Sequence, residues 1–152
     1  MLEFTFILNG EPLSALITGS ASYPAFSGSG KDKNKKTSQC ISGSGPIPTG
    51  IYYLFDRQSG GLLGPLRDFF SGKDQWFALY AIDNAIDDEV FCNKVKRGQF
   101  RLHPKGPLGI SQGCIVIDNS KDFATIRSKL KNTPKIKVPG LDLEAYGKVV
   151  VK

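Results

Sequence analysis

Residues 99–118, QFRLHPKGPLGISQGCIVID, decide how the chain is read. Gln99–His103 alternates like a half-buried strand, and Ile115–Asp118 is a short apolar run of strand type. The Gly/Pro-rich loop between them runs from His103, the only histidine in the chain, to Cys114, one of three cysteines. A thiol attack needs a base within hydrogen-bond reach and backbone N–H groups to receive the oxyanion. A free cysteine has a pKa near ~8.5, so a neighbouring imidazole helps to form the thiolate and can return the proton to a departing amine. Taken singly, both residues also have ordinary readings. A lone histidine can be a surface or satisfied core residue, and a lone cysteine a small buried hydrophobe.

Working outward, Asn119 or Ser120 caps a helix that carries Phe123, Ile126 and Leu130 at helical spacing and stops before Pro134. Residues 136–138 and 146–151 read as closing strands. Upstream, residues 76–82 (WFALYAI) form a buried strand with Trp76 in the core, and 83–89 (DNAIDDE) a turn or short helix. The turn signature GPIPTG (45–50) leads into the strand IYYLF, whereas 60–72 (GGLLGPLRDFFSG) fits either a short helix or a loop. At the start, Leu2, Phe4, Phe6 and Leu8 share one strand face, Asn9-Gly10 signals a two-residue hairpin, and Pro12–Thr18 returns. Residues 19–45 are polar, rich in Gly and Ser, and carry a basic run at 31–36; they read as a long loop in which Tyr23 and Phe26 pack on something. The expectation is one mainly β domain over 1–152 with one or more short helices.

The length supports one sizeable core, and 40% apolar with 22% charged residues suits a globular domain. Nearly all of the net charge of +6 lies after residue 120. That excess is either a solvated lysine-rich face or a surface for nucleic acid, an anionic membrane or an acidic wall polymer. No nucleic-acid motif accompanies it, and none is expected as a partner. Cys40, Cys92 and Cys114 lack CxxC spacing and a histidine cluster, so no metal is expected. If Cys114 is free, Cys40 and Cys92 either pair or stay reduced. The first residues lack a basic n-region, and no run reaches the ~20 apolar residues of a membrane span. Synthesis in the cytoplasm, no membrane insertion and an unconventional export route are therefore expected.

The order of strand, His103, Gly/Pro loop, Ser111-Gln112-Gly113-Cys114, short strand and capped helix resembles the YkuD-like L,D-transpeptidase catalytic domain. That family's signature is a histidine followed by [Ser/Thr]-His-Gly-Cys. Gln112 replaces the second histidine, Val116 stands where housekeeping enzymes carry arginine, and the His-to-Ser spacing is short. With Tyr23, Ser27 and Gly28 in an aromatic-x-x-x-Ser-Gly segment, and GPIPTGIYYL at 45–54, the chain is most similar to the small L,D-transpeptidase-like effectors of type VI secretion.

The resemblance implies a β-sandwich-like catalytic domain acting on peptidoglycan tetrapeptide stems. Cys114 would attack the carbonyl at the L-centre of meso-diaminopimelate and release D-Ala as a thioester forms. Water then gives L,D-carboxypeptidase activity, and a D-amino acid gives exchange. His103 would shuttle the proton, the N–H groups of Gly113 and Cys114 would hold the oxyanion, and no cofactor is needed. Ser111 either binds substrate or stabilises its own turn. Arg101 shares the face of His103 and either pairs with a stem-peptide carboxylate or forms a structural salt bridge. Ser27, Gly28 and Tyr23 would line the cleft, with core packing an equal reading for Tyr23. Implied partners are stem peptides, a cognate immunity protein and a secretion apparatus component, with action in the periplasm of a target bacterium. Three readings compete. One is an NlpC/P60-like peptidase using Cys40, although Ser, Gly and Pro follow it where that family needs a helix; the others are a non-enzymatic basic binding module and a structural protein of a secretion apparatus.

Overall fold

Eight strands among the described residues hydrogen-bond into a sheet that closes on itself. The computed structural model of the protein describes residues 1–57, 75–107, 109 and 111–152, so the stretch 60–72 lies outside the described residues. The strands are β1 (Leu2–Phe6), β2 (Ser14–Thr18), β3 (Ala21–Ser27), β4 (Gly50–Asp56), β5 (Phe77–Ala81), β6 (Glu89–Cys92), β7 (Val95–Gly98), β8 (Arg101–Pro104), β9 (Ile115–Ile117), β10 (Ile136–Lys137), β11 (Glu144–Ala145) and β12 (Gly147–Val151). The barrel order is β1-β12-β4-β5-β8-β9-β3-β2, with β6-β7 and β10-β11 as separate two-stranded sheets. The mainly β expectation holds. The sandwich-like layout implied by the resemblance is here one sheet closed into a barrel.

Period-two alternation explains what faces inward. Phe4, Phe6, Leu54, Phe77, Leu79, Leu102, Ile115, Ile117 and Val149 belong to a single buried cluster inside the barrel. The helix α1 (Ser120–Lys131) adds Phe123, Ile126 and Leu130 to that cluster, each worth about 1.5–3 kcal/mol of burial. Asn119 caps α1 through its side-chain oxygen, which accepts the Lys121 N–H at 2.8 Å. A second cluster, Phe55, Ala78, Tyr80, Val138 and Ala145, covers the outer face of β4 and β5.

Two expectations need correction. Asn9-Gly10 is not a two-residue hairpin. Asn9 bonds Glu11 and Leu13, and residues 7–13 separate β1 from β2. The two-residue connection is Gly19-Ser20, between the paired Thr18 and Ala21. The first part of the polar stretch 19–45 is the strand β3, wedged between β2 and β9. Pro24, which cannot donate, sits beyond the β9 ladder and gives its carbonyl to the Asp118 N–H.

Candidate active site

β5, β8 and β9 lie side by side with Phe77 opposite Leu102 and Leu102 opposite Ile115, all three pointing into the barrel. The residues on either side of each therefore point outward. One outward row runs Trp76, His103, Val116. The next runs Ala78, Arg101 and, one residue before β9 begins, Cys114. The structure thus brings Cys114 beside Arg101 and diagonal to His103 on a shared face.

His103 is buried, and its ring stacks on Trp76 with centroids 4.1 Å apart. Arg57 covers the same indole at 5.3 Å. His103 Nδ1 lies 2.8 Å from the Pro104 carbonyl oxygen. A carbonyl only accepts, so in the neutral ring Nδ1 carries the proton and Nε2 the lone pair. Trp76, expected in the core, is instead the platform under the histidine, because it precedes β5 on the outward register.

Cys114 is the free cysteine, and Cys40 is joined to Cys92. That disulfide removes Cys40 as a nucleophile and with it the observation behind the NlpC/P60-like reading. Cys114 Sγ lies 4.0 Å from the Gln99 carbonyl oxygen. Burial pushes the thiol above its usual range, opposed by the Arg101 backbone N–H and by the charges of Arg101 and Arg57. A base is therefore needed to generate thiolate near neutral pH.

The turn before Cys114 is tied down from behind. Ser111 Oγ donates to the Cys114 carbonyl (2.8 Å) and accepts the N–H groups of Gly28 (3.1 Å) and Gly113 (3.2 Å). Ser27 Oγ donates to the Gly113 carbonyl (3.2 Å) and accepts the Ile47 N–H (2.8 Å). Gly113 has φ +118, and a Cβ there would sit 2.6 Å from the Phe100 ring, so only glycine fits. Ser111, Ser27, Gly28 and Gly113 thus meet in one buried network under the turn. Tyr23 is elsewhere: it belongs to the interior cluster, beyond the far end of β9 and beneath Lys129 of α1. Arg101 forms a two-pronged ion pair with Asp88, at 2.8 and 2.7 Å.

Two residues at the site escaped the sequence reading. Arg97 is buried and donates to the carbonyls of Gln39, Gly45 (3.0 Å), Pro46 (3.2 Å) and Gln112 (3.3 Å), clamping the 39–46 loop to the turn before Cys114. Asp88 lay in the acidic patch read as a turn. Both border a cleft of about 320 Å³, together with Ser42, Gly43, Gln99 and Gln112. Gln99 and Gln112 place this opening next to Cys114.

The family model described as the Tlde1 domain matches residues 21–141. No curated protein and no solved structure matches the chain.

Proposed function

The chain belongs to the Tlde1 domain family, and from that premise we propose that it is a cysteine enzyme that trims or exchanges D-Ala on peptidoglycan tetrapeptide stems. The family is one of type VI secretion effectors with peptidoglycan-related activity. The observation that carries the finer reading is the placement of Cys114, the free thiol, diagonal to His103 on the outward face of adjacent strands.

In the proposed reaction His103 Nε2 takes the Cys114 proton, and the sulfur attacks the carbonyl at the L-centre of meso-diaminopimelate. The resulting oxyanion collapses as the D-Ala amine leaves with the proton from His103. Water, deprotonated by the same nitrogen, then releases the tripeptide and restores the thiol; a D-amino acid in place of water gives exchange. The Gly113 N–H is held by Ser111, so the oxyanion role falls to the Cys114 N–H. The cleft bounded by Gln99 and Gln112 is the proposed entry for the stem. The ion pair with Asp88 leaves Arg101 poorly placed to bind a stem-peptide carboxylate, and the saturated hydroxyl of Ser111 favours a turn-stabilising role.

On this reading residues 1–152 act as one L,D-transpeptidase-like catalytic domain of the YkuD type. It is delivered by a type VI apparatus into the periplasm of a target bacterium, and the producer is protected by a cognate immunity protein. The test is incubation with purified muropeptides followed by mass spectrometry. The wild type converts tetrapeptides to tripeptides or exchanges their terminal D-Ala, and Cys114→Ala and His103→Ala do neither. Unchanged tetrapeptides with the wild type would overturn the assignment.

A further inference from the structure

Arg101 Nε is the one buried side-chain nitrogen or oxygen among the described residues that meets no hydrogen-bond partner. Both Nη atoms of the same guanidinium are engaged, through three of their four hydrogens. Nη1 donates to Asp88 Oδ1 (2.8 Å) and to the Phe100 carbonyl (2.9 Å), and Nη2 donates to Asp88 Oδ2 (2.7 Å). A pair that only fastened β8 to the 83–88 turn would be complete with those bonds. A buried donor left over calls for another explanation. One step beyond the Leu102↔Ile115 pair, the β8–β9 register puts Arg101 across from Cys114, which directly precedes β9, and the Arg101 charge acts on the Cys114 thiol.

Taking Cys114 as the nucleophile, we propose that Arg101 is a positioning residue for its thiolate: Asp88 fixes the guanidinium, and the unused Nε–H is the donor for the charge that forms on Sγ. When the proton passes to His103, the sulfur keeps the electron pair and accepts this hydrogen bond. As the sulfur–carbon bond forms, the charge moves to the carbonyl oxygen and the hydrogen bond is released.

The charged groups around Sγ have opposing effects. Arg101 from β8 and Arg57 beyond the end of β4 favour the thiolate, whereas Asp88 and burial disfavour it. His103 lies on the diagonal, and Tyr80 of β5 faces the far side of Arg101. At the cleft rim, Lys96 and Glu89 neutralise each other at 2.9 Å.

Alkylation of Cys114 by iodoacetamide tests the role without any wall substrate. A sulfur–carbon bond forms, iodide leaves, and the intact mass reports the rate across roughly pH 6–10. Cys40 and Cys92 are protected by their disulfide. Arg101→Gln is expected to raise the apparent thiol pKa by about one unit, slowing alkylation about tenfold at pH 7. Arg101→Lys keeps the charge but loses the fork and is expected to slow it about threefold. Asp88→Asn removes an anchor of the guanidinium together with a charge that opposes the thiolate, and the two effects offset, so it is expected to slow alkylation clearly less than Arg101→Gln. Wild-type rates in Arg101→Gln, or equal slowing in Arg101→Gln and Asp88→Asn, would overturn the proposal. If Arg101→Gln loses its near-ultraviolet circular dichroism, Arg101→Lys decides alone: an upward-shifted profile supports the role and a wild-type profile rejects it. A shifted profile without muropeptide turnover would reject the substrate and leave the Arg101 role standing.

Discussion

One hydroxyl holds the turn before Cys114 in shape. Ser111 Oγ has a single proton and two acceptor positions, and all three are occupied, by the Cys114 carbonyl and the N–H groups of Gly28 and Gly113. Truncation to alanine leaves two buried amides without an acceptor, so Ser111→Ala should lower stability by about 1–3 kcal/mol in urea unfolding. A residue that only bound substrate would leave the urea midpoint unchanged and raise KM instead. At this scale the placement of His103 and Cys114 on one outward face could be read from the chain, because strand alternation carries across the short loop between them. Arg97 and Asp88 could not be read in this way. Arg97 gathers carbonyls up to 58 residues away in sequence, and carbonyls carry no side-chain signature. Asp88 became an arginine partner only once the 83–88 turn folded beside β8.

Among the elements, the long connection from β3 to β4 shapes the site without supplying a reacting group. Two 3-10 turns, Gly30–Asp32 and Lys36–Ser38, form around Asp32, whose carboxylate accepts the hydroxyls of Ser44 (2.6 Å) and Ser38 (2.8 Å). Those two bonds hold its pKa below the usual carboxylate range. Arg97 then fastens the end of this connection to the turn before Cys114, and the Cys40–Cys92 disulfide fastens it to the β6-β7 hairpin. Joining residues 52 apart removes loop-closure entropy worth about 4 kcal/mol from the unfolded chain in the entropic treatment. Cys92→Ser should therefore unfold at markedly lower urea than the oxidised wild type, and reduction of the wild type should reproduce most of that loss. The helix α1 was plain in the sequence because an Asn cap and three apolar residues at helical spacing agree with one another. Replacing the cap, Asn119→Ala, should cost about 1 kcal/mol in the same measurement. β3 was missed for the opposite reason. Its inward residues Tyr23, Ala25 and Ser27 are mostly small or polar, and Pro24 and the flanking Gly/Ser composition mask a strand that only its two neighbours stabilise.

For the whole molecule, stability depends on closure of the ring and on the ionic contact that braces its end. Asp56 on β4 binds Lys131 of α1 (2.6 Å) and the Tyr146 hydroxyl (2.9 Å). Burial alone would raise its pKa, but the hydrogen bonds from Lys131 and Tyr146 and the charges of Lys131 and Lys135 outweigh it and leave the value below the usual 3.8. A carboxylate held low in the folded state adds stability that is complete above its unfolded pKa and is lost as pH falls through the folded value. The melting temperature of the wild type should accordingly exceed that of Asp56→Asn at pH 6, and the gap should close below about pH 4. Ring closure itself depends on both chain ends. β1 pairs in parallel with β12 from Leu2↔Gly147 to Phe6↔Val151, and β1 also pairs with β2. The matched segment 21–141 contains none of these three strands. Without them β3 and β4 become open edges, and Leu54 and Ala25 lose the neighbours that cover them. A fragment limited to 21–141 should therefore aggregate or lack a cooperative thermal transition, while 1–152 melts cooperatively. The same calorimetric scan on both chains decides it, and a cooperative melt of the fragment would mean that the core does not need the ring to close.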